Sequence, residues 1–217
     1  AIVYCEGAFG TTYGKTAHGL VRRSMHHRIV GLVDSTYKGE DAGQVLDGAP
    51  AGIPISASVE DAVGVASQAG NPATLLVVGL APDGGGLSDT ARAAVARAIE
   101  LELDVESGLH DFLADDPVLA DLASLHGVSI WDIRRPPPRG DLHFFSGKIN
   151  EVTALRVAVL GTDSAVGKRT TAWMLCDALT EGGDQAELVG TGQTAWLQGA
   201  RYGVVFDSLI NDFVSGE

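Results

Sequence analysis

The chain has 217 residues, 15 of them basic and 28 acidic, for a formal net charge of −13. That sign argues against a nucleic-acid or anionic-membrane partner, since phosphate surfaces ask for a basic face. With 45% hydrophobic and 20% charged residues the composition is globular; the longest apolar runs, 74–81 and 154–160, are too short to span a bilayer, and no signal peptide opens the chain. The expectation is a cytoplasmic homo-oligomer acting on a small molecule, with no nucleic acid and no membrane.

In chain order, residues 2–5 form a short apolar strand, followed by Gly7, Gly10 and then Gly14-Lys15-Thr16 opening a helix to about Arg23. Residues 28–33 are a second strand ending at Asp34, and a Gly/Pro-rich loop follows. Ser58 is placed to cap a short helix, with Asp61 three residues on as its partner. Residues 74–80 are a third strand and 82–86 a glycine-rich turn. From Ser88 to about Leu103 the spacing of Ala91, Val95, Ala98 and Leu101 predicts a helix. A further helix is expected over 109–125, interrupted or restarted near Pro117, and a fourth strand over 128–133.

Near-continuous apolar strands alternating with helices predict an α/β fold with a Rossmann-like parallel sheet over 1–135. Three prolines, 136–138, can continue neither a helix nor a central strand, so 136–154 reads as a linker. The second unit, 155–217, reads as the start of a P-loop NTPase-like α/β domain: a buried strand from 155, a glycine loop, a helix over 168–179, a turn at Gly182-Gly183 and a strand over 186–190. A parallel sheet must be covered on both faces, so this second domain is expected to be incomplete here.

Its glycine loop carries most of the chemistry. Gly161-Thr162-Asp163-Ser164-Ala165-Val166-Gly167-Lys168 joins an apolar run to a helix, the layout in which main-chain amides and a helix N-terminus surround one anion while a lysine reaches across it. Gly161, Thr162, Ser164, Ala165, Val166, Gly167, Lys168, Arg169, Thr170 and Thr171 are therefore the candidate phosphate contacts. Two features depart from the usual pattern: five residues rather than four separate the glycines, and Arg169 stands where a magnesium-binding hydroxyl is expected. Asp163 either orients the lysine or a metal, or closes a turn. After the next strand, Gln193 and Thr194 lie where α/β proteins bind ligands. Val204 to Asp207 resembles a strand ending in an acid; Asp207 and Asp212 are candidate general bases, their alternative being strand closure or helix capping. In the first unit, Gly7, Gly10 and Gly14 suggest a turn approached by a ligand, and Asp34 stands either where a ribose-binding acid could or as a turn former. The six histidines and two cysteines show no metal-ligand spacing, Cys5 and Cys176 read as buried thiols, and no metal is expected.

Several segments carry a resemblance. The wording Gly161-Thr-Asp-Ser-x-Val-Gly-Lys168 resembles the dethiobiotin-synthetase branch of P-loop proteins. Together with Gly14-Lys15-Thr16-Ala17-His18-Gly19-Leu20, the Lys168-Arg169-Thr170-Thr171 variant, Gly190-Thr-Gly-Gln193-Thr194 and Gln198-Gly-Ala-Arg201-Tyr202-Gly203, it resembles a formerly uncharacterised family. That family joins an N-terminal Rossmann-like domain to a C-terminal P-loop domain and includes D-glutamate N-acetyltransferases. The resemblance implies acetyl transfer from acetyl-CoA to the amino group of an acidic amino acid, with the loop holding CoA phosphate, Asp207 or Asp212 taking the amine's proton, and Arg201 clamping the substrate carboxylate. The alternatives are an ATP-dependent ligase or kinase using ATP with Mg, and a non-catalytic nucleotide-binding module.

Overall fold

A computed structural model describes residues 1–141, 144–163 and 165–208. The chain divides into two units, one formed by 1–134 with 197–199, the other by 135–196 with the residues from 200 onward.

The first unit is an α/β sandwich. Its strands are β1 (Ile2–Tyr4), β2 (Gly31–Val33), β3 (Ile55–Ser56), β4 (Leu75–Val78), β5 (Asp104–Ser107) and β6 (Ile130–Asp132); its helices are α1 (Lys15–Arg22), α2 (Ala42–Asp47), α3 (Val59–Gln68), α4 (Asp89–Glu100) and α5 (Pro117–His126). The strand order is β3-β2-β1-β4-β5-β6 with every pairing parallel, the doubly wound Rossmann arrangement. Alternation along the strands divides the core: Ile2, Tyr4, Leu76, Val78 and Val105 pack with Val59 and Ala62 of α3, Val95, Ala98 and Ile99 of α4 and Leu119 of α5. On the opposite face α1 lies so close to β4 that the Ala17 amide donates to the Gly79 carbonyl at 3.2 Å. A Cβ on Gly79 would stand 2.6 Å from Val3 Cγ1 and 3.0 Å from Ala17 Cβ. Gly79→Ala is therefore expected to cost about 1–3 kcal/mol by overpacking, read as a lower melting temperature.

Capping positions the helices. Ser58 Oγ accepts the Asp61 amide at 3.1 Å and Ser88 Oγ the Ala91 amide at 3.2 Å, so the Ser58 cap falls where the sequence places it. Of the helix expected over 109–125, interrupted or restarted near Pro117, the restart is realised, since α5 starts at Pro117; the part before it is corrected, with no helix over 109–112 and a 3-10 turn at Leu113–Asp115. Asp132 at the end of β6 captures the Leu113 and Ala114 amides at 2.8 and 3.0 Å, and Asp116 caps α5 while Arg92 holds it at 2.6 and 2.7 Å. The Arg92 guanidinium, helped by two backbone amides, brings the Asp116 carboxyl down to about 2. Helix α2 and strand β3 lie in what the sequence presents as a Gly/Pro-rich loop, which is corrected, and β5 lies in a stretch the sequence pattern left unassigned.

The second unit is smaller: α6 (Lys168–Glu181), β7 (Val189–Gly190), α7 (Gln193–Leu197) and β8 (Tyr202–Gly203), with β7 and β8 parallel. Trp173 of α6, Leu188, Ala195 and Ala200 form its core, and Ala172 and Cys176 pack against it. Three expectations are corrected here. Residues 155–160 are not a strand, and Leu155, Val157 and Leu160 are 90%, 60% and 86% exposed. A strand exists through its lateral hydrogen bonds, and among the described residues none lies alongside. The strand expected over 186–190 shortens to β7, and Asp207 falls in a 3-10 turn, Phe206–Ser208, rather than at a strand end. Among the described residues no helix is long and apolar enough to cross a membrane.

Candidate functional site

The carboxyl edge of the first sheet, between β1 and β4, is the switch point at which doubly wound folds bind ligands. Here the protein's own atoms approach the glycine turn. A Cβ on Gly10 would lie 2.1 Å from the Tyr37 hydroxyl, and one on Gly14 2.7 Å from the Ala8 carbonyl. His18 Nε2 donates to the Phe9 carbonyl at 2.6 Å, and the Phe9 ring meets His18 and Tyr37 edge-on. Asp34 is fully buried and accepts the Phe9 and Thr36 amides at 2.9 and 3.0 Å. Of its two readings the turn former is the one realised, and Gly10 and Gly14 make room for side chain and backbone rather than for a ligand. Cys5, at the end of β1, is buried, and burial raises its thiol pKa, so it stays protonated and inert. Cys176, on α6, is only half-buried.

The loop of the second unit is built differently. Ala165 and Gly167 both have positive φ, 56° and 93°, so two left-handed residues bracket Val166 just before α6. Positive φ is uncommon outside glycine and clusters at ligand clamps; alternating the handedness of successive residues turns their amides to one side, which is how a backbone nest is made. Gly167 caps α6 without a side-chain bond. The Thr171 amide closes the first helical turn onto the Gly167 carbonyl at 2.9 Å, while among the described residues the amides of Val166, Gly167, Lys168 and Thr170 donate to no acceptor. These are the donors an anion at a helix N-terminus would use. Lys168 crosses the loop: a Cβ on Gly161 would meet its Cγ at 2.9 Å and Cδ at 3.0 Å, and its ammonium donates to the Asp163 carbonyl. Asp163 thus meets the lysine through its main chain. The first glycine of the motif admits the lysine stem, and the second supplies the left-handed turn.

Gly161, Thr162, Asp163, Ala165, Val166, Gly167, Thr170 and Thr171 are exposed and Lys168 and Arg169 half-buried; Ser164 lies outside the described residues. Gln193 opens α7 half-exposed, whereas Thr194 is 5% exposed and held within the fold. Close packing fixes this helix: a Cβ on Gly190 would reach within 2.7 Å of Ala195 Cβ. Arg201 is exposed, its guanidinium carbon 5.2 Å from the centre of the Tyr202 ring. Gln193 and Thr194 stand on α7 and Arg201 directly precedes β8, while Trp173 anchors α6 against Leu188, Ala195 and Ala200. Asp212 lies outside the described residues. Ala165 is the loop position whose conformation nothing in the pattern of residue types announces, since alanine carries no preference for positive φ. Among the described residues no group of three or more His, Cys, Asp or Glu side chains is placed to hold a metal.

Fold and loop together define an α/β protein that pairs a Rossmann-like domain with a P-loop domain. The chain belongs to the DUF1611 family: its N-terminal Rossmann-like domain matches residues 35–136 and its C-terminal P-loop domain residues 143–217. It is similar to proteins named D-glutamate N-acetyltransferase from a Pseudoalteromonas species, 34% identical over 66% of this chain and 42% of the relative, and from Tritonibacter scottomollicae, 35% identical over the same shares. It also resembles the crystal structure of a DUF1611 family protein from Anabaena variabilis, with a TM-score of 0.85 and 32% identity, over 99% of this chain and 59% of that one. The match thus spans less than half the length of the curated relatives.

Proposed function

We propose that this protein is an acyltransferase that moves an acetyl group from acetyl-CoA to the amino group of an acidic amino acid such as D-glutamate. The observation that carries the reading is the loop, whose amides, unpaired among the described residues, and crossing lysine offer an anion site, in a chain related to proteins of that name. Coenzyme A brings phosphate groups to such a loop, where Lys168 and the amides of Val166, Gly167 and Lys168 hold them. In the reaction the neutral amine attacks the thioester carbonyl, a C–N bond forms, the C–S bond breaks and CoA leaves as a thiolate. The amine's proton passes to a carboxylate, for which Asp207 and Asp212 are the candidates, and Arg201 pairs with the substrate carboxylate.

Acetyl-CoA and D-glutamate mixed with the protein are expected to release free thiol, followed with a thiol-reactive dye. Release no faster than without the amino acid removes the proposal. The second reading, an ATP-dependent ligase or kinase, is favoured by the Gly161-Thr-Asp-Ser wording alone, and ATP consumption without thiol release selects it.

A further inference from the structure

P-loop folds ordinarily bring magnesium, held by the hydroxyl that directly follows the lysine and by an acid at a strand end. The first of these holders does not fit here. The residue after Lys168 is Arg169, on the first turn of α6 and half-buried. Each helical residue rotates about 100°, so Thr170 and Thr171 are carried round the axis, away from the place a hydroxyl after the lysine would take. Two adjacent cations thus open a helix whose own dipole disfavours positive charge. A guanidinium is permanently charged and offers its donors in a planar fork matched to phosphate oxygens.

We infer that this loop binds its phosphate ligand without a metal, Arg169 supplying the charge that magnesium supplies in other P-loops. The inference rests on the loop being a phosphate site, as in the proposed function, and adds what neutralises the phosphate. It makes Arg169 a specificity-determining residue: the loop takes ligands that travel without magnesium, such as CoA, and gains nothing from a metal-chelated nucleotide.

Calorimetric titration with CoA and with inorganic pyrophosphate, each in EDTA and in excess magnesium, tests it in the wild type and in Arg169→Ser. Wild-type affinity for CoA is expected to be the same in both buffers. Arg169→Ser is expected to bind about tenfold more weakly in EDTA, the worth of one lost charge-assisted hydrogen bond, and to recover affinity for pyrophosphate when magnesium is added. Wild-type binding that strengthens tenfold or more with magnesium would overturn the inference and leave the phosphate site standing. Arg169→Ser binding like the wild type in EDTA would also overturn it. Binding of neither ligand under any condition would remove the inference and the phosphate site together. An unchanged circular-dichroism spectrum of the variant separates loss of the ligand contact from loss of α6.

Discussion

Replacing Lys168 by Ala is expected to weaken CoA binding by about tenfold to a hundredfold, the loss of one or two charge-assisted hydrogen bonds, with kcat/KM for acetyl transfer falling at least as far. The fold should not suffer. The stem of Lys168 lies against Gly161, and among the described residues its ammonium meets the Asp163 carbonyl at an exposed loop. A cation at a helix N-terminus is mildly unfavourable, so without ligand the melting temperature of Lys168→Ala is expected to be unchanged or slightly raised. Loss of affinity combined with undiminished stability is what a ligand-binding lysine predicts and a structural lysine does not. Lys168→Arg is not a conservative control, because the planar fork cannot follow the same path over Gly161. Full affinity in Lys168→Ala would show that the lysine does not hold the ligand.

The parallel sheet of the first unit was legible, though not its strand order, because β1, β2 and β4 are near-continuously apolar, as a doubly covered sheet requires. Strand β5 was not: Asp104–Ser107 carries two acids, and its membership rests on pairing with Leu75–Val78 and Ile130–Asp132, which no local pattern announces. The 109–112 stretch reads as helical in isolation, but the Asp132 carboxylate takes the Leu113 and Ala114 amides that a helix running on from 109 would spend on its own carbonyls, and Asp116 opens a new helix by accepting the Val118 and Leu119 amides. The apolar run 154–160 reads as a strand with equal force, and fails to be one because strand structure belongs to pairs. The phosphate loop was legible as a motif, through its glycines and lysine. Its left-handed backbone at Ala165 and the use of the Asp163 carbonyl were not, since main-chain geometry at an alanine leaves no trace in residue type.

The largest effect on stability is expected at Asp41, in a stretch the sequence presents only as a Gly/Pro-rich loop. Its Oδ1 accepts the Gly43, Gln44 and Ala51 amides at 2.9, 3.0 and 2.8 Å, and its Oδ2 the Ile53 amide at 2.9 Å. One carboxylate thus caps α2 and closes the chain before β3 back onto it. Asp41→Ala removes the cap and leaves the part-buried Ile53 amide without its acceptor, so a loss of about 3 kcal/mol is expected, or roughly 6–12 °C in melting temperature for a chain of this size. Asp41→Asn keeps one acceptor and should lose less. Burial alone would raise the Asp41 pKa; four backbone donors outweigh it and hold the carboxyl below its ordinary value. A depressed folded-state pKa stabilises the protein above the unfolded value, about 4, and that contribution is lost as pH falls through the folded value. The gap in unfolding free energy between wild type and Asp41→Ala should therefore be full at pH 7 and shrink below about pH 4. A gap that stays constant down to pH 2 would mean that Asp41 acts through packing and not through its charge.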